Sequence, residues 1–517
     1  MAVIGLDFGN FNSYTSFIQD LDYNAGRLGG RAAELMPAGE FRDGIPSVFY
    51  YKPGDTKPLV CQDAVKAKPI TNQVRYLKRG LFTPLVIDGQ RIRIGGKDWL
   101  FDDAIREVVQ DVLRQANDAL YTDFRQTTNL VSLAYPVTYS PPQIQRLIEI
   151  VESTTVEIRA EDGSVHQERV KVFGTIPEPA AAALDYLAEH ESDRKKEEVT
   201  AATFDLGGGT FDAAVVRCYP GGKKRDDGST YYYDLLWQGG LSDLGGKEFT
   251  EVVAEIAEKK LRSRRVTLTE MQKERLHRER AERAKLELSR SESTEIEVKD
   301  DIYVEISRKE FEQASRPLVQ RMVEVLGQAM NSGEFRPDLV LLSGGASRMP
   351  MIESSLKAAF PAWRDRIHAY RPEQAISFGA ARYGATTPSK PVQKRTAFEL
   401  GLECRHSDTL KSYVSRLIGE GTAIPCSSNW RTFLTVSDNS EYVAMIIQEA
   451  VSHKVDWEEL GHFRRIVSCN LPFRRRVPAG TPIQGRLSID DRGVMKLEAR
   501  EKEGDKPVTV EGRPTLV

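Results

Sequence analysis

The sequence predicts an α/β fold in which two related lobes of mixed sheet and helix are followed by a smaller β-rich domain. Three observations predict it. The first is an internal echo. Ala2 to Ile18 reads strand, Asp-x-Gly turn, strand (AVIGLD, FGNFNS, YTSFI), and Thr200 to Val216 reads the same way (TAATFD, LGGGT, FDAAVV). Asp7 and Asp205 stand too far apart for a short-period solenoid, so the echo marks two lobes that each open with a hairpin. The second is helical periodicity after each hairpin. In Asp103 to Leu120, Ile105, Val108, Val109, Val112, Leu113, Ala116 and Leu120 recur at helical spacing, and Ala180 to Leu187 and Phe311 to Ala329 behave similarly. The third is a composition shift near Thr386 to Arg395, a polar, proline-bearing stretch that suits a domain boundary.

The elements follow in order. Leu339-Val-Leu-Leu-Ser-Gly-Gly-Ala-Ser-Arg-Met-Pro350 reads as a buried strand, a sharp turn and a helix whose first turn takes the proline. The basic segment Lys259 to Arg290 reads as helices with solvated faces. Beyond the boundary, Trp430 to Val436, Tyr442 to Gln448, Gly485 to Ile489 and Val494 to Ala499 are rich in β-formers and broken by turn residues, including Asp490-Asp-Arg-Gly493. The expected domains are residues 1–386, a polar linker at 387–397 and a β domain at 398–517, with almost nothing after it to build a helical bundle.

With 517 residues and 40% hydrophobic content, the chain can bury two or three cores. Its 72 Lys and Arg nearly balance 75 Asp and Glu, so no overall field selects nucleic acid or anionic lipid as a partner. Cys61, Cys218, Cys404, Cys426 and Cys469 are odd in number, scattered and never in a Cys-x-x-Cys pair, which argues against a disulfide framework or a zinc site and fits a reducing cytoplasm. No apolar run approaches the roughly 20 residues that cross a bilayer, and the start Met-Ala-Val-Ile-Gly-Leu-Asp lacks a basic leader. The expectation is a cytoplasmic protein with no membrane or nucleic-acid partner.

Glycines at a strand turn let backbone N–H groups approach phosphate oxygens, and an aspartate at a strand end can hold magnesium through water. Asp7 with Gly9, and Asp205 with Gly207, Gly208, Gly209 and Thr210, supply that arrangement twice. A single glycine-rich hairpin is more often only a turn; two matched copies and a later Gly344-Gly345 turn favour phosphate binding. There is no Gly-x-x-x-x-Gly-Lys-Ser/Thr, which excludes a Walker-type site.

In order along the chain, Ile4-Gly-Leu-Asp-Phe-Gly-Asn-Phe-Asn-Ser13, Pro177-Glu-Pro-Ala-Ala-Ala-Ala183, Phe204-Asp-Leu-Gly-Gly-Gly-Thr-Phe-Asp212, Leu244-Gly-Gly246, Leu342-Ser-Gly-Gly-Ala-Ser-Arg348 and Pro372-Glu-Gln-Ala-Ile-Ser-Phe-Gly-Ala-Ala381 resemble the motifs of the DnaK (heat-shock protein 70) chaperone family. They span nearly all of residues 1–386. The resemblance implies an actin-like, two-lobed ATPase domain that uses ATP or ADP with magnesium, and potassium as a further cation. It implies that Asp7 and Asp205 organise magnesium through water, and that Gly207 to Gly209 and the Thr210 hydroxyl cradle phosphates. Lys78 would position the attacking water and neutralise transition-state charge, and Glu178 would orient water or the metal's hydration shell. Gly9, Asn10 and Phe11 would line the first phosphate turn. Glu282 and Lys285 would meet the ribose, and Ser289, Gly344, Gly345, Arg348 and Glu373 would frame the adenine. Without the resemblance, Lys78 reads as an ordinary solvated lysine and Glu282 with Lys285 as an i,i+3 surface pair. Two departures stand out: Asn10 and Phe11 replace the usual pair of threonines, and Leu286 sits where the family generally stacks an arginine on adenine, a contact of about 0.5–2 kcal/mol.

From Thr422 onward, Thr422-Ala-Ile-Pro425, Phe433-Leu-Thr-Val-Ser-Asp-Asn-Ser440 and Pro482 to Glu498 are similar to the family's substrate-binding β-sandwich, which grips an extended peptide. Cys404 to Ile418 is polar where the family has apolar binding loops, so a packing or docking module stays open. The linker is also polar, with Lys390, Lys394 and Arg395, where the family has a run of leucines. With no helical lid expected, the predicted coupling between the halves is weak. Three functions remain: an ATP-driven chaperone for polypeptide clients, served by a J-domain protein and a nucleotide exchange factor; a nucleotide-sensing adaptor for one dedicated folded partner; and a small-molecule kinase on the same scaffold.

Overall fold

The computed structural model describes residues 2–19, 31–34, 44–81, 91–139, 141–160, 163–224, 230–299, 301–386, 399–406, 408–419, 422, 426–450, 456–489, 495–501, 505 and 507–511. The 387–397 linker and the Asp490–Gly493 turn lie outside the described residues. The chain divides into two compact units: Met1–Arg79, Ile92–Thr138 and Ile150–Pro391 form one, and Gly80–Arg91, Tyr139–Glu149 and Val392–Val517 the other.

The first unit holds two sheets of matching design. In one, β1 (Ile4–Asp7) pairs antiparallel with β2 (Asn12–Gln19) and β2 with β3 (Arg31–Glu34), while β1 runs parallel to β4 (Leu130–Tyr135) and β4 to β5 (Lys171–Pro177). In the other, β6 (Val199–Leu206), β7 (Phe211–Lys224) and β8 (Thr230–Leu241) form the antiparallel half, and β9 (Leu339–Ser343) and β10 (Ile367–Ala369) continue in parallel from β6. The orders, β3-β2-β1-β4-β5 and β8-β7-β6-β9-β10, are the same. The echo seen around Asp7 and Asp205 is thus the start of two equivalent sheets. Their central strands are apolar and buried along almost their whole length, as strands covered on both faces must be.

The helices obey the predicted periodicity. α1 (Phe101–Phe124) buries Ile105, Val108, Val109, Val112, Leu113, Ala116 and Leu120 along one stripe. α2 (Glu178–Glu189) leaves β5 but packs on β6 and β7. After α3 (Gly246–Ser263), α4 (Ala281–Leu288) and α5 (Arg308–Met330), which cover the second sheet's core, α6 (Pro350–Ala359) starts at the expected proline. α7 (Ala375–Thr386) then follows β10 yet lies on β1 and β2. Each of the paired helices α2 and α7 therefore belongs by sequence to one sheet and by packing to the other. They meet over alanine and glycine: a Cβ added at Gly379 would lie 1.8 Å from the Ala181 carbonyl oxygen, so only glycine permits this approach.

The second unit is β-rich. β11 (Leu400–Arg405) lies between β12 (Ser412–Ile418) and β15 (Ser440–Ala450), and β15 pairs with β16 (Phe463–Val477). In a further sheet β17 (Pro482–Ile489) pairs with β13 (Cys426–Ser427), β14 (Arg431–Leu434) and β18 (Met495–Arg500), and β18 with β19 (Val508–Glu511). Leu402, Ile447 and Leu471 from one sheet and Ile483, Leu487 and Leu497 from the other share one apolar core. Among the described residues no helix is long and apolar enough to cross a membrane.

Candidate functional site

Asp7 closes β1 and Asp205 is the penultimate residue of β6, so equivalent strands deliver a carboxylate each to the same end of their sheets. Lys78 comes from the short 3-10 turn Leu77–Leu81, and Glu178 from the first turn of α2. The four side chains are buried, with Lys78 only 3% exposed, which removes the solvated-lysine reading. The Lys78 ammonium donates to Glu178 Oε1 at 2.5 Å and stands 4.0 Å from Asp7 Oδ1. Asp212, the register partner of Asp205 on β7, is a fourth buried carboxylate; its Oδ1 accepts from the Thr138 hydroxyl at 3.0 Å.

One buried ammonium thus faces four buried carboxylates. Burial, reinforced by neighbouring carboxylates, pushes Asp7, Asp205 and Asp212 well above the ordinary range. Burial opposes the charge on Lys78, but Glu178 and then Asp7 hold its pKa above the usual lysine value. Asp205 Oδ1 is buried and accepts no hydrogen bond among the described residues. An uncompensated anionic cluster of this kind fits a cation, and its neighbouring turns fit phosphate.

Those turns are built from backbone. The carbonyls of Gly207 and Gly208 accept from the amides of Gly246 and Lys247 at 2.9 and 2.8 Å. Because a trans peptide points C=O and the next N–H in opposite directions, the amides of Gly208 and Gly209 face away from α3. The first turn abuts the second: a Cβ at Gly208 would sit 2.8 Å from Phe11 Cβ, and one at Gly209 2.7 Å from Asn10 Cγ. At Gly9 a Cβ would lie 2.0 Å from the Asn12 carbonyl oxygen. Thr210 is buried, and its carbonyl accepts from the Gly207 amide at 3.0 Å.

Arg79 locks the two turns together. Its backbone amide donates to Asn10 Oδ1 at 3.0 Å, its Nε to the Gly209 carbonyl at 2.6 Å, and its two Nη groups to Glu248 at 2.9 and 2.8 Å. Glu248 also accepts from the Gly245 amide, capping α3.

The ribose and adenine candidates form the remaining wall. Lys285 is buried rather than a surface partner: it donates to Glu282 at 2.7 Å and to the Gly246 carbonyl and Thr250 hydroxyl at 3.0 Å. Ser289 donates its hydroxyl to the Lys285 carbonyl. Gly344 has φ +78° and no room for a side chain, since a Cβ would meet Leu206 O at 2.2 Å and Asp205 Oδ1 at 2.6 Å. A Cβ at Gly345 would lie 3.6 Å from Glu373 Cγ, and Glu373 takes the Arg348 guanidinium in a two-pronged ion pair. Leu286 is 53% exposed on α4. Gly246 joins the parts, because a Cβ there would come within 3.5 Å of Ala346, Lys285 and Gly207.

A family model described as Hsp70 protein matches residues 170–515, well over half of the chain. The chain belongs to the Hsp70 family. The match takes in the second sheet, α2 to α7 and the β-rich unit; the mixed α/β architecture is consistent with the Hsp70 actin-like ATPase fold, and members of the family are generally ATPases that use ATP or ADP with magnesium. Asp7 and Lys78 precede the matched stretch, and the Lys78–Glu178 ion pair ties them to it. Asp212, Arg79, Glu248 and Gly246 were not assigned roles by the motifs. An aspartate opening the apolar strand FDAAVV was a signal for the first; the long-range pairing of Arg79 with Glu248 left none.

Proposed function

We propose that the chain is an ATP-binding and ATP-hydrolysing chaperone, with residues 1–386 as the nucleotide domain, 387–397 as the linker and 398–517 as a client-binding β-sandwich. The observation that carries the reading is the buried cluster of Asp7, Glu178, Asp205 and Asp212 around Lys78, bordered by two glycine turns. Bound magnesium and ATP would supply the transferable phosphoryl group and offset the carboxylates' charge. Asp7 and Asp205 would hold the metal's waters, and Asp212 suits a further monovalent cation such as potassium. Glu178 fixes the Lys78 ammonium, so that Lys78 can stabilise charge developing on a phosphate and orient a water for attack. The amides of Gly208 and Gly209, with the Thr210 hydroxyl, would hold phosphate oxygens. Glu282 and Lys285 would border the ribose, and Gly344, Gly345, Arg348, Glu373 and Ser289 the base.

One observation favours a second reading, a nucleotide-sensing adaptor with a dedicated folded partner. In the loop between β11 and β12, His406 stacks on Tyr413 at 4.3 Å between ring centres and bonds Glu458 at 2.7 Å, so this segment is polar and pinned. Turnover of ATP by the full chain, alone and with an unfolded polypeptide or a J-domain protein, separates the readings. Stimulation by unfolded polypeptide supports the chaperone, nucleotide binding without stimulation supports the adaptor, and failure to bind ATP removes both.

A further inference from the structure

Outside the nucleotide site, a buried ionic group sits where α2 meets α7. Arg382 on α7 is 1% exposed and Asp185 on α2 is 0% exposed. Arg382 Nε donates to Asp185 Oδ1 at 2.8 Å, and its Nη2 bonds Glu189 one turn further along α2. Each helix follows one sheet and packs on the other, so any movement between the sheets must slide α2 along α7. The Ala181–Gly379 contact is too close to slide far, and the ionic end is where the movement would show.

That end holds a second guanidinium in loose ion-pair contact, lying 5.2 and 5.3 Å from the Tyr370 and Phe378 ring centres. Arg371 Nη1 stands 4.0 Å from Asp185 Oδ2, and its Nη2 3.7 Å from Glu189 Oε2, both beyond hydrogen-bond reach. Asp185 Oδ2 is buried with no hydrogen bond among the described residues. Arg371 is held off with φ +41°, a left-handed backbone that a non-glycine residue adopts only under constraint. The next two residues supply that constraint. The Pro372 carbonyl accepts from the Gly344 amide at 2.7 Å, and Glu373 holds Arg348. The Arg371 carbonyl itself accepts from the amides of Gln374 and of Ala375, the first residue of α7.

We propose that Arg371-Pro372-Glu373 is a coupling loop and Arg371 its latch: occupancy of the Gly344–Arg348 turn moves the loop, and Arg371 closes on Asp185 and Glu189 to brace α2 against α7. The brace sets how fast nucleotide leaves and does not touch the reacting phosphate. The inference rests on the nucleotide site proposed above, and it makes Arg371 and Asp185 positioning residues.

The test uses the full chain and a fluorescent ADP. Arg371→Ala should raise the ADP dissociation rate about tenfold, because Asp185 loses the partner it acquires in the braced state, while single-turnover hydrolysis stays within about twofold. Arg371→Lys, which keeps the charge, should restore most of the slow release. Asp185→Asn should speed release at least as much, because it also weakens the Arg382 pair, and the effects of the two substitutions should be less than additive in the double variant, since each removes the Arg371–Asp185 contact. An unchanged release rate in Arg371→Ala, or additive effects in the double variant, would overturn the latch. Failure of the unmodified chain to bind ADP would instead strike down the nucleotide site, and the latch with it. Arg371 is 40% exposed, so its variants should fold, and unchanged thermal unfolding of Arg371→Lys checks this.

Discussion

Asp7 and Asp205 end equivalent strands, yet the turns that follow them are filled in opposite ways. After Asp7 come Asn10 and Phe11; after Asp205 come three glycines and Thr210. The bulk of the first turn fills the space that the glycines of the second leave, with added Cβ atoms at Gly208 and Gly209 only 2.8 and 2.7 Å from Phe11 and Asn10. Charge is divided as unequally as volume. Asp7 has the Lys78 ammonium 4.0 Å away, whereas Asp205 Oδ1 is buried without a hydrogen bond among the described residues. A duplicated scaffold has thus become a wall and a cradle. The first turn is anchored by Tyr76 and Arg79, and the second offers backbone amides beside a carboxylate that Lys78 compensates less.

The largest expected effect comes from erasing the difference in charge. Lys78→Ala removes the counter-charge that favours Asp7 over Asp205, and it should lower ATP turnover by about 100- to 1000-fold, the size seen on losing one donor that acts on transition-state charge. Nucleotide affinity should change by no more than about threefold, since the ammonium contributes little to holding the base. Turnover and binding measured side by side decide this; parallel losses would make Lys78 a binding residue instead.

Erasing the difference in volume should come next. Gly208→Ala drives a methyl against Phe11 and should destabilise the chain by about 1–3 kcal/mol, as overpacking does. Phe11→Gly in the same chain should recover part of that loss, because it removes the Cβ that the methyl meets. Urea unfolding of the two single variants and the double one reads this. Additive losses would mean that the two turns do not share the space.

This mutual fit marks where sequence reading stops. The hairpins themselves were legible, because alternating apolar residues and Asp-x-Gly turns are local signals, and so were α1, α5 and the proline that starts α6. Buried Lys78 was legible only through the family resemblance, since nothing near it in sequence distinguishes it from a solvated lysine. Pairings across the chain were not legible. Arg79 finds Glu248, and Arg382 finds Asp185, through contacts that only the assembled sheets create. A hint existed in the second case: Asp185 and Arg382 each interrupt an alanine-rich helix face, where an unpaired charge would be costly. It shows that a partner is needed and not which one.

A smaller effect sharpens the comparison of the aspartates. A metal relieves more repulsion at the carboxylate that Lys78 compensates less, so Asp205→Asn should weaken the magnesium dependence of nucleotide binding more than Asp7→Asn does. The expected loss at Asp205 is about tenfold, or about 1.4 kcal/mol. Calorimetry with and without magnesium separates the two variants. Equal losses would show that Lys78 does not distinguish the two carboxylates.

The smallest effect lies on the base side, where wall and cradle meet a second unlike pair. Arg348, held by Glu373, would offer a charged face to the base, while Leu286 on α4 is apolar and 53% exposed. A leucine packs on a ring by dispersion alone, whereas an arginine adds a cation–π contact of about 0.5–2 kcal/mol. At this exposed position the contact falls at the low end of that range, so Leu286→Arg should slow ADP release by about two- to fivefold, and leave hydrolysis of bound ATP unchanged. Inorganic tripolyphosphate supplies the control, because it fills the phosphate turns and has no base. Its affinity should not respond to the substitution. An equal gain for tripolyphosphate and ADP would mean that the new arginine acts by long-range charge, and Leu286 would then not belong to the wall that faces the base.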